Sequence, residues 1–236
     1  MNILEVHNVS KSFKGMHAVD GVSLGLRQGD NLAIVGESGS GKTTLAKMIM
    51  GLITPDEGVI KAGRGTLQMV FQDPVGSLDP LWNVRSILKE ALWHNRTLSG
   101  RQIEEKMASM LTKVGLSSGI LGRFPHEFSG GERQRIAIAR CLLACPRVLL
   151  LDEAVSALDT LVQKQITDLL KTLKQDLGLT YIFISHNLRL VRRFSDKIAV
   201  MHQGKIVEQG LMPAVLEAPQ HPYTRQLLQA AFYTHL

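Results

Sequence analysis

The sequence predicts an α/β fold built on a largely parallel sheet, and three observations carry that expectation. Asn31–Val35, Leu67–Phe71, Val148–Leu151 and Tyr181–Ile184 are apolar runs of strand length, as expected of strands covered on both faces. A glycine-rich segment, Gly36-Glu-Ser-Gly-Ser-Gly-Lys42-Thr43, follows the first of these runs and leads into the helical pattern Thr44–Met50. Between Asp73 and Ala144 the periodicity changes from strands to helices, so a helical block interrupts the sheet-forming sequence.

Ile3–Val9 and Val22–Leu26 alternate as half-buried strands around a turn near Gly15, and Gly58–Ala62 offers a third short strand, which together predict an N-terminal antiparallel layer. The helical block reads as Val84–His94, Arg101–Val114 and Arg133–Ala144. Beyond it, Ile198–Met201 and Lys205–Glu208 flank His202-Gln-Gly204 and read as a terminal hairpin. No internal repeat or low-complexity linker divides the chain. One domain is therefore expected over 1–236, with a core of 1–72 and 146–236 and a helical subdomain of 73–145.

At 236 residues, with 44% hydrophobic and 20% charged, the composition is that of a globular chain. Its mean hydropathy of +0.05 suggests apolar surface that a partner covers. No run reaches the ~18 apolar residues of a membrane span, and no secretory signal pattern opens the chain, so a cytoplasmic location is expected. The formal charge of +6 admits solvated surface cations, a face toward an anionic membrane or its protein, or nucleic-acid binding. Charge alone does not choose among them. Cys141 and Cys145, one helical turn apart with no His or Cys companions nearby, read as reduced thiols and not as a metal site.

Chemistry concentrates in three segments. The glycine-rich segment matches the phosphate loop, in which backbone N–H groups curl inward onto phosphate oxygens, Lys42 places a charge on the outer phosphates and Thr43 reaches Mg²⁺. It points to a nucleoside triphosphate. Arg147–Glu153 is an apolar strand that ends in two carboxylates, so Asp152 is placed to hold Mg²⁺ or its waters and Glu153 to polarise the water that attacks the γ-phosphate. The third segment, Phe128-Ser129-Gly130-Gly131-Glu132, reads as a helix capping box with Ser129 as N-cap and Glu132 reaching back. A cap has no need of two glycines. They would bare backbone N–H groups to an anion, and since the chain already owns a phosphate loop, that anion is expected to be the nucleotide of a second subunit.

These motifs, with Phe13, Gln72, Ser156-Ala-Leu-Asp159 and His186, stand in the order found in the ATP-binding subunits of ABC transporters, which the chain resembles along essentially its whole length. The resemblance implies the ABC ATPase fold, a RecA-like P-loop NTPase core with an antiparallel β subdomain and an inserted helical subdomain, and implies ATP and Mg²⁺ as cofactors. Nucleotide contacts would come from Phe13 stacking on adenine, from Gly36, Glu37, Ser38, Gly39, Ser40, Gly41, Lys42, Thr43 and Thr44, and across the dimer from Ser129, Gly130, Gly131, Glu132 and Asp159. Catalysis would rest on Glu153, His186, Gln72 and Lys42, and the metal on Thr43, Gln72 and Asp152. Each has a plain alternative: Phe13 as a core residue, Gln72 as a strand-end polar residue, Asp159 as a helix cap, His186 as a satisfied strand-end histidine.

Phe71–Pro80 and Ala218–Leu228 further resemble the ATPases of importers for peptides, nickel or opine metal chelates. Glu132 stands where glutamine is usual, Ala154-Val155 where Pro-Thr is usual, and the Lys61–Leu67 stretch is short, a compactness that leans toward the nickel and opine branch. No cysteine follows Tyr223, so an iron–sulfur cluster is not expected. Implied partners are a second ATPase subunit, identical or paralogous, a permease at the cytoplasmic face of the membrane and, through it, a solute-binding protein, with no nucleic acid. Leu78, Leu81, Trp82 and Arg85 are candidates for the permease contact, the alternative being that Leu81 and Trp82 pack the core of the helical block. An exporter or lipoprotein-releasing ATPase is the transport alternative. A soluble switch of DNA repair or translation is less suited, since neither a coiled-coil or zinc insertion nor a second such domain is present.

Overall fold

A computed structural model of the chain describes all residues except 1, 64–66, 72–73, 94–96, 157 and 234–236. In chain order the elements are β1 (Asn2–Phe13), β2 (Met16–Arg27), β3 (Asn31–Val35), α1 (Lys42–Ile49), β4 (Glu57–Ala62), β5 (Leu67–Val70), α2 (Pro74–Ser77), α3 (Val84–Ala91), α4 (Gly100–Lys113), α5 (Gly130–Leu143), β6 (Val148–Asp152), α6 (Thr160–Leu177), β7 (Thr180–Ser185), α7 (Leu188–Phe194), β8 (Lys197–His202), β9 (Lys205–Leu211), α8 (Met212–Glu217) and α9 (Pro222–Tyr233). Two 3₁₀ turns, Ser118–Gly122 and Pro125–Glu127, lie between α4 and α5.

The sheet expected from the apolar runs is six-stranded, in the order β5-β6-β7-β3-β8-β9, and the separate layer is three-stranded, in the order β2-β1-β4. β3, β5, β6, β7 and β8 pair in parallel, while β9 returns antiparallel on β8 as the hairpin expected at its turn. β3, β6 and β7 are buried along their whole length, which is why they read as unbroken apolar runs. One face of the sheet packs with α1 against the antiparallel layer, through Leu4, Val6, Leu24, Leu26, Leu45 and Met48. The other packs against α5, α6, α7 and the helices after β5.

Differences from the sequence reading lie at element ends and in α2, α6, α7, α8 and α9, helices that it did not place. β1 and β2 run well past the expected Ile3–Val9 and Val22–Leu26, because ladder pairing up to Phe13↔Met16 extends them through polar residues that carry no alternation. α1 begins at Lys42, two residues early, and α5 at Gly130, three residues early, so the phosphate lysine and both signature glycines lie in first helical turns. α3 stops at Ala91, and β5 at Val70. Cys141 is buried with its Sγ donating to the Met69 carbonyl at 3.3 Å, and burial pushes its thiol up to about 11. Cys145 is exposed, and neither cysteine is in a disulfide. No helix among the described residues is long and apolar enough to cross a membrane.

The segment after β5 divides sharply. Leu78 is 1% exposed and belongs to the core that α5 shares, which corrects its expected role as a permease contact. Leu81 is 83% exposed, Trp82 is 42% exposed, and Arg85 pairs with Glu104. Packing α5 against α2 explains the split, with the Arg140 guanidinium donating to the Ser77 carbonyl at 2.7 Å beside the buried leucine. Leu78→Ala should therefore lower unfolding free energy by about 2–5 kcal/mol, whereas Leu81→Ala should change it by about 0.5 kcal/mol or less, as urea unfolding of the two variants would measure.

Candidate functional site

Strand register assembles the site. Val35 lies opposite Ser185, and Asp152 opposite Ile184, so β3, β6 and β7 end together at one edge of the sheet. The glycine-rich loop leaves β3 there, Glu153 follows β6 and His186 follows β7. Residues more than a hundred positions apart in the chain are thereby brought to one place, at the carboxyl ends of parallel strands where open α/β sheets bind ligands.

The loop owes its path to glycines that no other residue could replace. A Cβ on Gly36, at φ 153°, would lie 2.1 Å from the Met201 carbonyl oxygen, and one on Gly41, at φ 103°, 2.2 Å from that of Ala18. Backbone therefore touches backbone on two sides. The Ser40 carbonyl also accepts the Gly204 N–H at 3.1 Å, tying the loop to the β8–β9 hairpin. Lys42 is buried, and its Nζ donates to the Gly36 carbonyl at 2.9 Å, the Glu37 carbonyl at 2.6 Å and Ser40 Oγ at 3.3 Å. Burial lowers its pKa, while the charges of Glu153, Asp152 and Glu37 oppose the shift. Thr43 is exposed and Thr44 half-buried on the first turn of α1.

Asp152 is 6% exposed, and its carboxyl is raised above the usual aspartate range, first by burial and then by the neighbouring charge of Glu153. Lys42, Lys47 and a hydrogen bond from Thr43 pull the other way. Asp152 Oδ1 is buried without a hydrogen-bond partner. An orphaned carboxylate oxygen beside the Thr43 hydroxyl is chemistry that suits a hard divalent cation, so these residues fit Mg²⁺. Among the described residues no cluster of three or more His, Cys, Asp or Glu forms a metal site by itself.

Glu153 has φ 47°, a left-handed backbone that costs a non-glycine residue on the order of 1 kcal/mol. Its N–H donates to the Ile184 carbonyl at 3.0 Å, and its own carbonyl accepts the Ser156 N–H at 2.9 Å and hydroxyl at 2.8 Å. The sharp turn places Oε1 3.1 Å from His186 Nδ1. His186 is thus an exposed histidine just past the end of β7, partnered by a carboxylate.

Phe13 is 45% exposed at the β1–β2 turn, so it is no core residue. Gln72 lies outside the described residues. Asp159 caps α6, its Oδ1 accepting the Val162 N–H at 2.9 Å. Ser129 and Glu132 close a full capping box, with Oε2 accepting the Ser129 N–H at 2.8 Å and Ser129 Oγ the Glu132 N–H at 3.3 Å. The structure gives Gly131 a second duty that the sequence did not disclose. A Cβ there would lie 2.7 Å from Val162 Cγ1, so the signature helix packs tightly on the start of α6.

The family model described as "ABC transporter" matches residues 19–156, from β2 through the phosphate loop to the strand-end carboxylates and Ser156. The chain belongs to the ABC transporter family. It is the ATP-binding, ATP-hydrolysing component, and its fold is the ABC ATPase fold. The probable D,D-dipeptide transport ATP-binding protein DdpF of Escherichia coli is 48% identical over 94% of this chain and 73% of its own length. The oligopeptide transport ATP-binding protein AppF of Bacillus subtilis is 42% identical over 97% of this chain and 78% of its own. Among solved structures, the dimeric ATP-binding cassette MJ0796, in a post-hydrolysis state with ADP and Pi, superposes with a TM-score of 0.79 at 27% identity, covering 89% of this chain and 98% of that one.

Two measurements test the local geometry. Gly36→Ala should destabilise the fold by about 1–3 kcal/mol and weaken nucleotide binding, since the loop backbone must shift to clear Met201; calorimetry of the variant with and without ADP reads both. Hydrogen bonds from Ser129, side chain first and then backbone, hold the Glu132 carboxylate below its ordinary value of 4.5. Because the folded-state pKa is lowered, its contribution is complete above the unfolded value and is lost as pH falls through the folded one. The stability difference between wild type and Glu132→Gln should accordingly be flat above about pH 5 and change only below it, as urea titrations at stepped pH would show.

Proposed function

We propose that this chain is the ATPase of a peptide-type ABC importer, in which two such subunits enclose two Mg·ATP molecules between one subunit's phosphate loop and the other's Ser129–Glu132 helix start. The observation that carries the reading is the convergence of Lys42, Asp152, Glu153 and His186 at the ends of three adjacent strands. The peptide assignment rests on relatives named for dipeptide and oligopeptide transport. Those names do not support the lean toward nickel or opine chelates that the compact Lys61–Leu67 stretch suggested.

In this reading Lys42 leaves the Gly36 and Glu37 carbonyls for the outer phosphates, joined by the N–H groups of the loop and of the first turn of α1. Thr43 and Asp152 would hold Mg²⁺, with Gln72 from its place in the sequence, and its charge would offset that of the phosphates. Glu153 orients and polarises the attacking water, and His186, already within hydrogen-bonding distance of Glu153, steadies it and reaches the γ-phosphate. Phe13 stacks on adenine. Ser129, Gly130 and Gly131 present N–H groups to the nucleotide of the partner subunit, and Asp159 bridges the two subunits. With one domain over 1–236 and a helical subdomain over 73–145, this reading has the helix that Ser129 begins move with that subdomain against the core. Leu81 and Trp82, exposed after β5, form part of the surface for a permease at the cytoplasmic face of the membrane, to which a solute-binding protein delivers peptide.

Glu153→Gln should still bind ATP but hydrolyse it about a hundredfold or more slower and accumulate as a closed dimer on size-exclusion chromatography; near-normal turnover would remove Glu153 as the water-activating group. Lys42→Ala should weaken binding in its own subunit, whereas Ser129→Arg should spare it and block closure. In a dimer of identical chains, mixing those two inactive variants should restore activity through one intact composite site. Loss of ATP binding by monomeric Ser129→Arg would refute the sandwich. Leu81→Asp should keep basal hydrolysis and lose stimulation by permease and loaded binding protein.

A further inference from the structure

The C-terminal segment reaches back to the phosphate loop, a contact that no motif announces. Tyr223, at the start of α9, is buried, and its hydroxyl oxygen accepts the Glu37 N–H at 3.1 Å across a sequence separation of 186 residues. That N–H belongs to the Gly36–Glu37 amide, whose carbonyl, pointing the opposite way across a trans peptide, accepts Lys42 Nζ at 2.9 Å. One peptide plane is thus gripped at both ends, by Tyr223 on one side and the phosphate lysine on the other. Hydrogen bonds in such a chain polarise one another, and rotation of the plane would move both.

The tyrosine is itself held from two directions. Its ring stacks on His202 with centroids 3.8 Å apart and planes 26° apart, at the end of β8. The approach to α9 is fastened by Glu208 on β9, whose carboxylate accepts the Gln220 N–H at 2.9 Å and the His221 N–H at 3.0 Å. The Tyr223 N–H in turn donates to His221 Nδ1 at 3.2 Å. A core packing role would need the ring alone. The hydroxyl has a separate partner, and that partner is loop backbone.

We infer that Tyr223 is a positioning residue for nucleotide binding: its hydroxyl sets the Gly36–Glu37 peptide plane and, through it, the place from which Lys42 meets the phosphates. The inference rests on the reading of this loop as the nucleotide site. It makes the β8–β9 hairpin and the start of α9 a support of the site and not only a cover for the sheet.

Tyr223→Phe keeps the stacked ring and removes only the hydroxyl. In the full-length chain the variant should raise Kd for MgATP and MgADP by about three- to tenfold, the range expected for one lost hydrogen bond. The same substitution in a Lys42→Ala background should have little further effect, because Tyr223 acts through the lysine. Titration calorimetry of wild type, both single variants and the double variant completes the cycle. An unchanged Kd in Tyr223→Phe overturns the inference, and so do effects of the two substitutions that simply add. If Lys42→Ala alone bound nucleotide as wild type does, the phosphate-loop reading itself would fail. A normal loss in Lys42→Ala with none in Tyr223→Phe would remove only the role given to Tyr223.

Discussion

The site depends on a close approach of three stretches of backbone. The phosphate loop lies against the end of β8 at Gly36 and against β2 at Gly41, with no room for a Cβ at either contact, and it is tied to the β8–β9 turn through Ser40 and Gly204. Main chain has fewer ways to yield than side chain, so these contacts hold the loop in shape with its lysine folded inward. The antiparallel layer, the central sheet and the terminal hairpin thus meet at one loop, and each must be in place for the loop to keep its form.

Charge follows from that geometry. The charge of Glu153 acts on both Lys42 and Asp152, yet burial is the leading influence on these two and works against ionisation of each. A buried lysine held on carbonyls and a buried carboxylate with one oxygen unpartnered are groups whose chemistry suits a phosphate and a hard cation. Phosphoryl transfer draws on that kind of preorganisation, since it needs charge neutralisation and an aligned water more than covalent participation. The left-handed turn at Glu153 belongs to the same economy, because it aims the carboxylate at His186 where a relaxed strand end would not.

The start of α5 shows how one short motif both caps a helix and sets its packing. Ser129 and Glu132 satisfy each other in a capping box, so the start of α5 is stable in the isolated subunit. Glu132 fills the reciprocal position with a carboxylate whose charge Ser129 takes up through hydrogen bonds. Gly131 lets α5 approach Val162 on α6, coupling the helix start to the segment that Asp159 caps.

Much of this was legible in the residues alone. Strand-forming runs, the loop and the paired carboxylates are patterns of neighbouring residues, set by periods of two and of about 3.6 and by the backbone freedom of glycine, so the central strands, the helices α1, α3, α4 and α5 and the nucleotide chemistry could be read directly, whereas α2 and the helices from α6 onward were not. Element ends were less legible, because the last residues of β1 and β2 are held by ladder pairing and not by their own pattern. Only tertiary packing decided that Leu78 is core while Leu81 is surface, that Gly131 must clear Val162, and that Tyr223 holds Glu37. Each of these is a contact between segments far apart in the chain, and a local pattern carries no information about which distant backbone will lie within hydrogen-bonding or van der Waals reach.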